Sequence, residues 1–179
     1  MSTPRTEAIP RTGRGTGSEE PGAGPATWAA IETDLRAGAG TSWLSVPARH
    51  GGVHTRPVFA AWGGSSFVVT TSPAAVKTAH LRADGRVSLA VDLGTVHLVV
   101  EARAVRLHAR ADLERASAAM LEAYDWPTEP TGDLLDAPYA APTSGGPPFE
   151  AWELHPRRAH AFPTADQVQP TRFVFDGPT

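Results

Sequence analysis

The sequence predicts a mainly β protein with flanking helices, built around a closed or nearly closed antiparallel barrel. Three observations lead there. Runs rich in β-branched and aromatic residues, "TSWLSV", "VHTRPVFAAW" and "FVVTTS", are joined by the turns "PARHGG" and "GGSS", which are short enough for hairpins. The later run "TVHLVVEARAVRL" is too long and too apolar on both faces for a one-sided sheet. Helical spacing of apolar residues is confined to three segments.

Taken in order, residues 1–25 are Gly-, Pro- and Thr-rich and offer almost nothing for a core. Ordering them costs backbone entropy without compensating burial, so a disordered leader is expected. Residues 26–179 then form one domain. A first helix is expected at 27–37, with Thr27 as N-cap, Trp28, Ile31 and Leu35 on one face, and Gly38 as its stop. After the first strands, "PAAVKTAHL" reads as a second helix, with Ser72 as N-cap and Pro73 at its first position. "RVSLAVD" and the long apolar run resume strand character. "RADLERASAAMLEAYDW" is the strongest helical pattern, with Leu113, Ala116, Met120 and Tyr124 on one stripe and Asp112 near its start. A long Pro/Gly-rich loop follows over 127–148, then two strands, "FEAWELH" and "RAHAFP", and a closing "TRFVF".

Composition narrows the function. The 179 residues carry a formal charge of −3, with 41% hydrophobic and 20% charged residues. That suits a globular protein and gives no global basic field for nucleic acid or an anionic membrane. The absence of cysteine excludes disulfides, thiolate catalysis and Cys-based metal sites. No apolar run approaches the ~20 residues of a membrane span, and the N-terminus has no signal-peptide core, so a cytoplasmic protein is expected. The seven histidines show no metal-ligand spacing with carboxylates; His50 and His54 are separated by a Gly-Gly turn. No Ser-His-Asp pattern, P-loop or dinucleotide glycine fingerprint is present.

Of 16 basic residues, 15 are arginine and one is Lys77. Lys77 follows Thr70, Thr71 and Ser72, and Arg56 lies in the preceding strand, with Arg82 and Arg86 downstream. If the strands are neighbours, these cations and hydroxyls converge near a helix N-terminus, the environment a phosphate needs. The alternative is a solvated lysine behind an ordinary Ser-Pro cap. Tyr124 and Tyr139, the only tyrosines, are candidate proton donors; equally, a tyrosine on a helix stripe is a core residue with a satisfied hydroxyl. Trp43, Trp62, Trp126 and Trp152 either wall a pocket or fill the core and an interface, with Trp43 and Trp152 assigned to the latter.

The pieces "WLSV…GGVHTRPVFAAW", "SFVVTTSPAAVKTAHLRADGRVSLAVD", "LVVEARAVRL", "YDWP", "PTSGGPPFEAWELHP" and "PTRFVF", spanning roughly 28–175, resemble the FMN-binding split-barrel superfamily. That superfamily includes the pyridoxamine 5′-phosphate oxidases and the deazaflavin (coenzyme F420)-dependent reductases. The resemblance implies a six-stranded antiparallel split barrel and a homodimer with cofactor sites at the subunit interface. It matches Arg56 to the family's strand arginine, Lys77 to its phosphate-holding lysine, and Thr70 and Thr71 to the pair beside the flavin-type ring. Pro57, Ser72, His80, Leu81, Arg86 and Arg172 are further candidate cofactor contacts, and Tyr124 is the candidate proton donor or substrate contact. His80-Leu81 stands where the family often has Asn-Leu, Asp84-Gly85 where it often has Asp-Pro, and Ala102 where a glycine is usual. The ending "TRFVFDGPT" is similar to that of deazaflavin-type members. The Lys-poor composition suits a high-GC actinobacterium, a lineage that makes F420. The expected function is hydride transfer from reduced F420 to an electron-poor C=C or C=N of a small substrate. The alternatives are an FMN-dependent oxidase or reductase, or a non-catalytic carrier of flavin, deazaflavin or haem.

Overall fold

The computed structural model describes residues 3–9, 24–38, 40–142, 144–164 and 168–176. In chain order the elements are β1 (Arg5–Ala8), β2 (Gly24–Pro25), α1 (Trp28–Arg36), β3 (Ser42–Pro47), β4 (Val53–Val58), β5 (Ala60–Trp62), β6 (Phe67–Thr71) and α2 (Val76–Ala83). They continue with β7 (Arg86–Asp92), β8 (Val96–Arg106), α3 (Arg110–Tyr124), β9 (Glu129–Thr131), β10 (Leu134–Asp136), β11 (Glu150–Pro163), β12 (Val168–Gln169) and β13 (Thr171–Val174). Among the described residues the protein is mainly β with three helices.

The principal sheet is antiparallel, in the order β1-β13-β11-β8-β7-β3-β4, with β6 also on β11 and β5 on β6. A single residue, Phe59, separates β4 from β5. This bent path bonds to β3 through β4 and to β6 through β5. The ladders β3–β7–β8–β11–β6 therefore lead back to the path on which they began.

Burial alternates along the strands as a sheet with one packed face requires, for example Ser42, Leu44 and Val46 inward and Trp43 outward. The main core includes Leu44, Phe67, Leu89, Leu98, Val100, Leu154 and Phe173. Helix α1 plugs it with Trp28, which meets Trp62, Phe173 and Phe175 edge-on at 5.7, 5.2 and 4.8 Å. The Thr27 hydroxyl accepts the Ala30 N–H at 3.3 Å, the cap read from sequence. A second core under α3 gathers Leu113, Met120, Trp126, Leu135 and Phe149.

Several expectations are corrected here. The leader is not wholly without structure: Arg5–Ala8 forms an edge strand on β13 in register Arg5↔Val174 to Ala8↔Thr171. Its main-chain bonds substitute for the missing core residues; residues 10–23 lie outside the described set. "FEAWELH" and "RAHAFP" are one strand, β11, with a register shift between Pro156 and Arg158. A bulge accommodates a proline that lacks an N–H. The 127–148 loop contains the β9–β10 hairpin, turned at 132–133, and Leu135 bridges to Phe149. Helix α2 begins three residues later than expected, with Ala75 at the N-cap. The Ser72 carbonyl accepts both Ala75 N–H and the Thr78 hydroxyl, closing a turn where the helix was expected to start. Trp43 is 41% exposed, so of its two expected roles core filling is excluded and interface filling is left.

Candidate functional site

Helix α2 packs on β3 and brings the His80 ring to 5.5 Å from the His54 ring of β4. Thr71 ends β6 fully buried, and its hydroxyl meets Thr78 Oγ1 at 2.9 Å. Because Thr78 donates onward to the Ser72 carbonyl at 2.7 Å, Thr71 is the donor in the first bond. This chain of hydroxyls ties the strand end to the helix. Among the described residues no side chain caps α2; the Thr78 N–H is taken by the Ala75 carbonyl, and those of Val76 and Lys77 have no side-chain acceptor.

Lys77 occupies the second position of α2 and is half-buried. Burial, followed by the nearby Arg56 guanidinium, lowers its pKa below the ordinary 10.5. Among the described residues, neither Lys77 nor Arg56 has an acidic partner. Arg56 Nη1 donates only to the adjacent Thr55 carbonyl, at 3.0 Å. The alternation of β4 puts His54 on the same face as Arg56. His54 meets buried His80 of α2 edge-on at 5.5 Å. Two cations, two imidazoles and an uncapped helix start thus share one place, an arrangement suited to an oxyanion.

The other expected contacts divide. Thr70 is half-buried at the end of β6, and Ser72 lies beside Gly145, where a Cβ would stand 3.2 Å from Ser72 Cβ. Pro57 faces away from Arg56, opposite exposed Trp43 on the outer face of the sheet. Thr71 is committed to Thr78. Leu81 is 2% exposed in the main core and presents no side chain to a ligand.

Arg86 forks onto Asp84, with Nε–Oδ2 at 2.9 Å and Nη2–Oδ2 at 2.6 Å. The Arg86 guanidinium and the Arg86 main-chain N–H, both donating to Asp84, hold that carboxyl down at about 2. The intervening Gly85 is required by packing, because a Cβ there would sit 2.7 Å from the Ala104 carbonyl oxygen. Arg172 belongs to β13, at the other side of the sheet order from β4, and its guanidinium binds Glu7 of β1. Neither arginine joins Lys77 within one chain. Both line shallow cavities on the outer face: about 310 Å³ around Arg5, Glu7, Glu101, Arg158, His160 and Arg172, and about 500 Å³ around Arg86, Glu101, Arg157 and Phe175.

Tyr124 lies at the β4–β5 bend. Its ring stacks on Phe59 at 4.4 Å, and its hydroxyl oxygen accepts the Ala60 N–H at 2.8 Å. Burial raises its pKa, opposed by that N–H bond, so the phenol stays protonated at neutral pH. Tyr139 is exposed, with its hydroxyl on the Asp125 carbonyl at 3.2 Å. Sequence reasoning missed His54 as a member of the cluster. The available signal was its position two residues before Arg56, which puts both on one strand face.

No family model matches the sequence, and no curated protein matches it. Solved structures share the fold. A heme binding protein from Mycobacterium smegmatis aligns at 21% identity and TM-score 0.53, over 72% of this chain and 52% of that one. The chain thus spans about half the length of that protein. A protein of the pyridoxinephosphate oxidase family from Clostridium acetobutylicum, related to general stress protein 26, aligns at 13% identity and TM-score 0.55, covering 83% and 95%. An F420 reductase aligns at 16% identity and TM-score 0.50, covering 72% and 94%. These solved structures share this chain's fold.

Proposed function

We propose that this chain is an oxidoreductase that grips the phosphate of a flavin-type cofactor between Arg56 and Lys77. The carrying observation is that these cations lie together with no acidic partner among the described residues, beside an uncapped helix start. Placing two like charges close together is unfavourable, and a bound anion relieves it. The donor set fits a phosphate: a planar fork, a compact ammonium and free main-chain N–H groups. Half-buried Thr70 lies where the chain leaves β6 for this site. In this reading the ladder circuit is a six-stranded split barrel, with the bent β4–β5 path counted as one strand.

We assign the cofactor as F420, in line with the resemblance of the C-terminal segment to deazaflavin-type members. When bound and reduced, it supplies a hydride for an electron-poor C=C or C=N. The protein's part is to hold the phosphate, exclude water and keep Tyr124 protonated as a hydrogen-bond or proton donor at the substrate. The exposed Trp43–Pro57 strip on the outer face supports a homodimer, a second copy covering it.

The test is anaerobic titration with oxidised and reduced F420 and with FMN, read by fluorescence. Saturable F420 binding and turnover of an enone or imine are expected. Preference for FMN moves the assignment to an FMN oxidase or reductase, since Arg56 and Lys77 serve either phosphate. Tight binding without turnover makes the chain a carrier. Binding of neither cofactor contradicts the reading.

A further inference from the structure

The cluster around Lys77 contains a group that a plain phosphate grip does not require. His54 lies on the inward face of β4 with Arg56, edge-on to His80 of α2. His80 is held from the β3–β4 turn, its Nδ1 accepting the Arg49 N–H at 3.2 Å. His54 has no comparable bond among the described residues.

The groups around His54 are Arg56 on its own strand, Lys77 and His80 on α2, and, from the β3–β4 turn, the Arg49 main chain and exposed His50. Burial acts on it first, then the charges of Arg56, His80 and Lys77, all in the direction that keeps the ring neutral. No carboxylate contributes. An anion seated between Arg56 and Lys77 offsets the two charges that act on His54.

Resting on the phosphate reading above, we propose that His54 is the proton-linked member of this site: an oxyanion binds between Arg56 and Lys77 together with a proton taken up on His54. The ring then becomes a third cationic donor. The sign follows from linkage. The free protein holds His54 below its ordinary 6.5 and the bound protein holds it higher. Affinity therefore rises as pH falls through the bound-state value and levels off below the free-state value. One linked proton limits the rise to about tenfold per pH unit. The site accordingly favours ligands ending in a phosphate- or sulfate-type anion, most strongly under mildly acidic conditions.

The probe is inorganic sulfate, whose own charge is constant from about pH 5 to 8, where a histidine titrates. Sulfate affinity is measured by calorimetry in two buffers of different ionisation heat, alongside NMR titration of the His54 ring. Expected are proton uptake on binding, tighter binding at the acidic end, and a His54 titration that moves upward with sulfate. His54→Gln should bind sulfate with no pH dependence and no proton uptake. Equal affinity across the range without proton uptake overturns the proposal, as does an unchanged pH slope in His54→Gln. If sulfate binding is pH-independent but still weakened in Lys77→Ala, only this inference is lost. Binding that Lys77→Ala leaves intact removes the underlying site as well.

Discussion

Two groups of basic side chains, alike in composition, are in opposite electrostatic states. On the outer face of the sheet and its margins, arginines are matched with acids: Arg5 and Arg172 with Glu7, Arg86 and Arg103 with Asp84, Arg158 with Glu101. Arg82 and Arg106 converge on Glu150, whose side chain is 1% exposed and whose Oε2 accepts the Trp152 indole N–H at 3.2 Å. Where β4 faces α2, by contrast, Arg56 and Lys77 lie together with positive charge alone acting on Lys77. The first group joins strands and helices; the second carries an unmet preference for an anion. Cation count is therefore a poor guide to a binding site, and the absence of the matching acid is a better one.

The largest effect comes from breaking the matched group at its buried point. Glu150→Ala leaves Arg82 and Arg106 without their shared carboxylate and should destabilise the fold by about 3–5 kcal/mol, read by denaturant unfolding. Next, Lys77→Ala and Arg56→Ala should each weaken cofactor binding about ten- to hundredfold, the loss of a charge-assisted contact of ~1.5–3 kcal/mol. Their ligand-free unfolding midpoints should equal or exceed wild type, because a like-charge contact is removed. Tyr124→Phe deprives the Ala60 N–H of its acceptor and should lower stability by about 1–2 kcal/mol in thermal unfolding. A larger fall in turnover than in cofactor affinity would assign it the donor role as well.

Smallest are the exposed pairs. Arg172→Ala and Arg86→Ala should leave cofactor affinity unchanged in the monomeric unit. Arg86→Ala should bring the Asp84 carboxyl up from about 2 toward its ordinary 3.8 in an NMR titration. Because the folded value is depressed, any stability from Asp84 is present above 3.8 and lost as pH falls through about 2.

Much of the fold was legible because its signals are local. Thr27 caps α1, and "RVSLAVD" spans the residues of β7. The misread boundaries were set by distant partners. Ser72 has the chemistry of an N-cap, yet its carbonyl is taken by Thr78 and the helix starts later. Residues 5–8 have no core pattern, and only the free edge of β13 orders them. At the site, strand periodicity and helix position bring Arg56 and Lys77 together, whereas the assignments of Arg86 and Arg172 depended on acids that sequence spacing does not locate. Leu81 and Thr71 are buried, and which face of α2 and β6 is buried depends on the elements packed against them.

Because Lys77 is the only lysine, its side-chain ammonium can be followed as one NMR resonance after selective isotope labelling. In the ligand-free protein it should titrate below the ordinary 10.5, and it should move upward when FMN or inorganic phosphate is added and when Arg56 is replaced by Ala. A lysine that titrates at its ordinary value and responds neither to phosphate nor to Arg56→Ala would contradict the account.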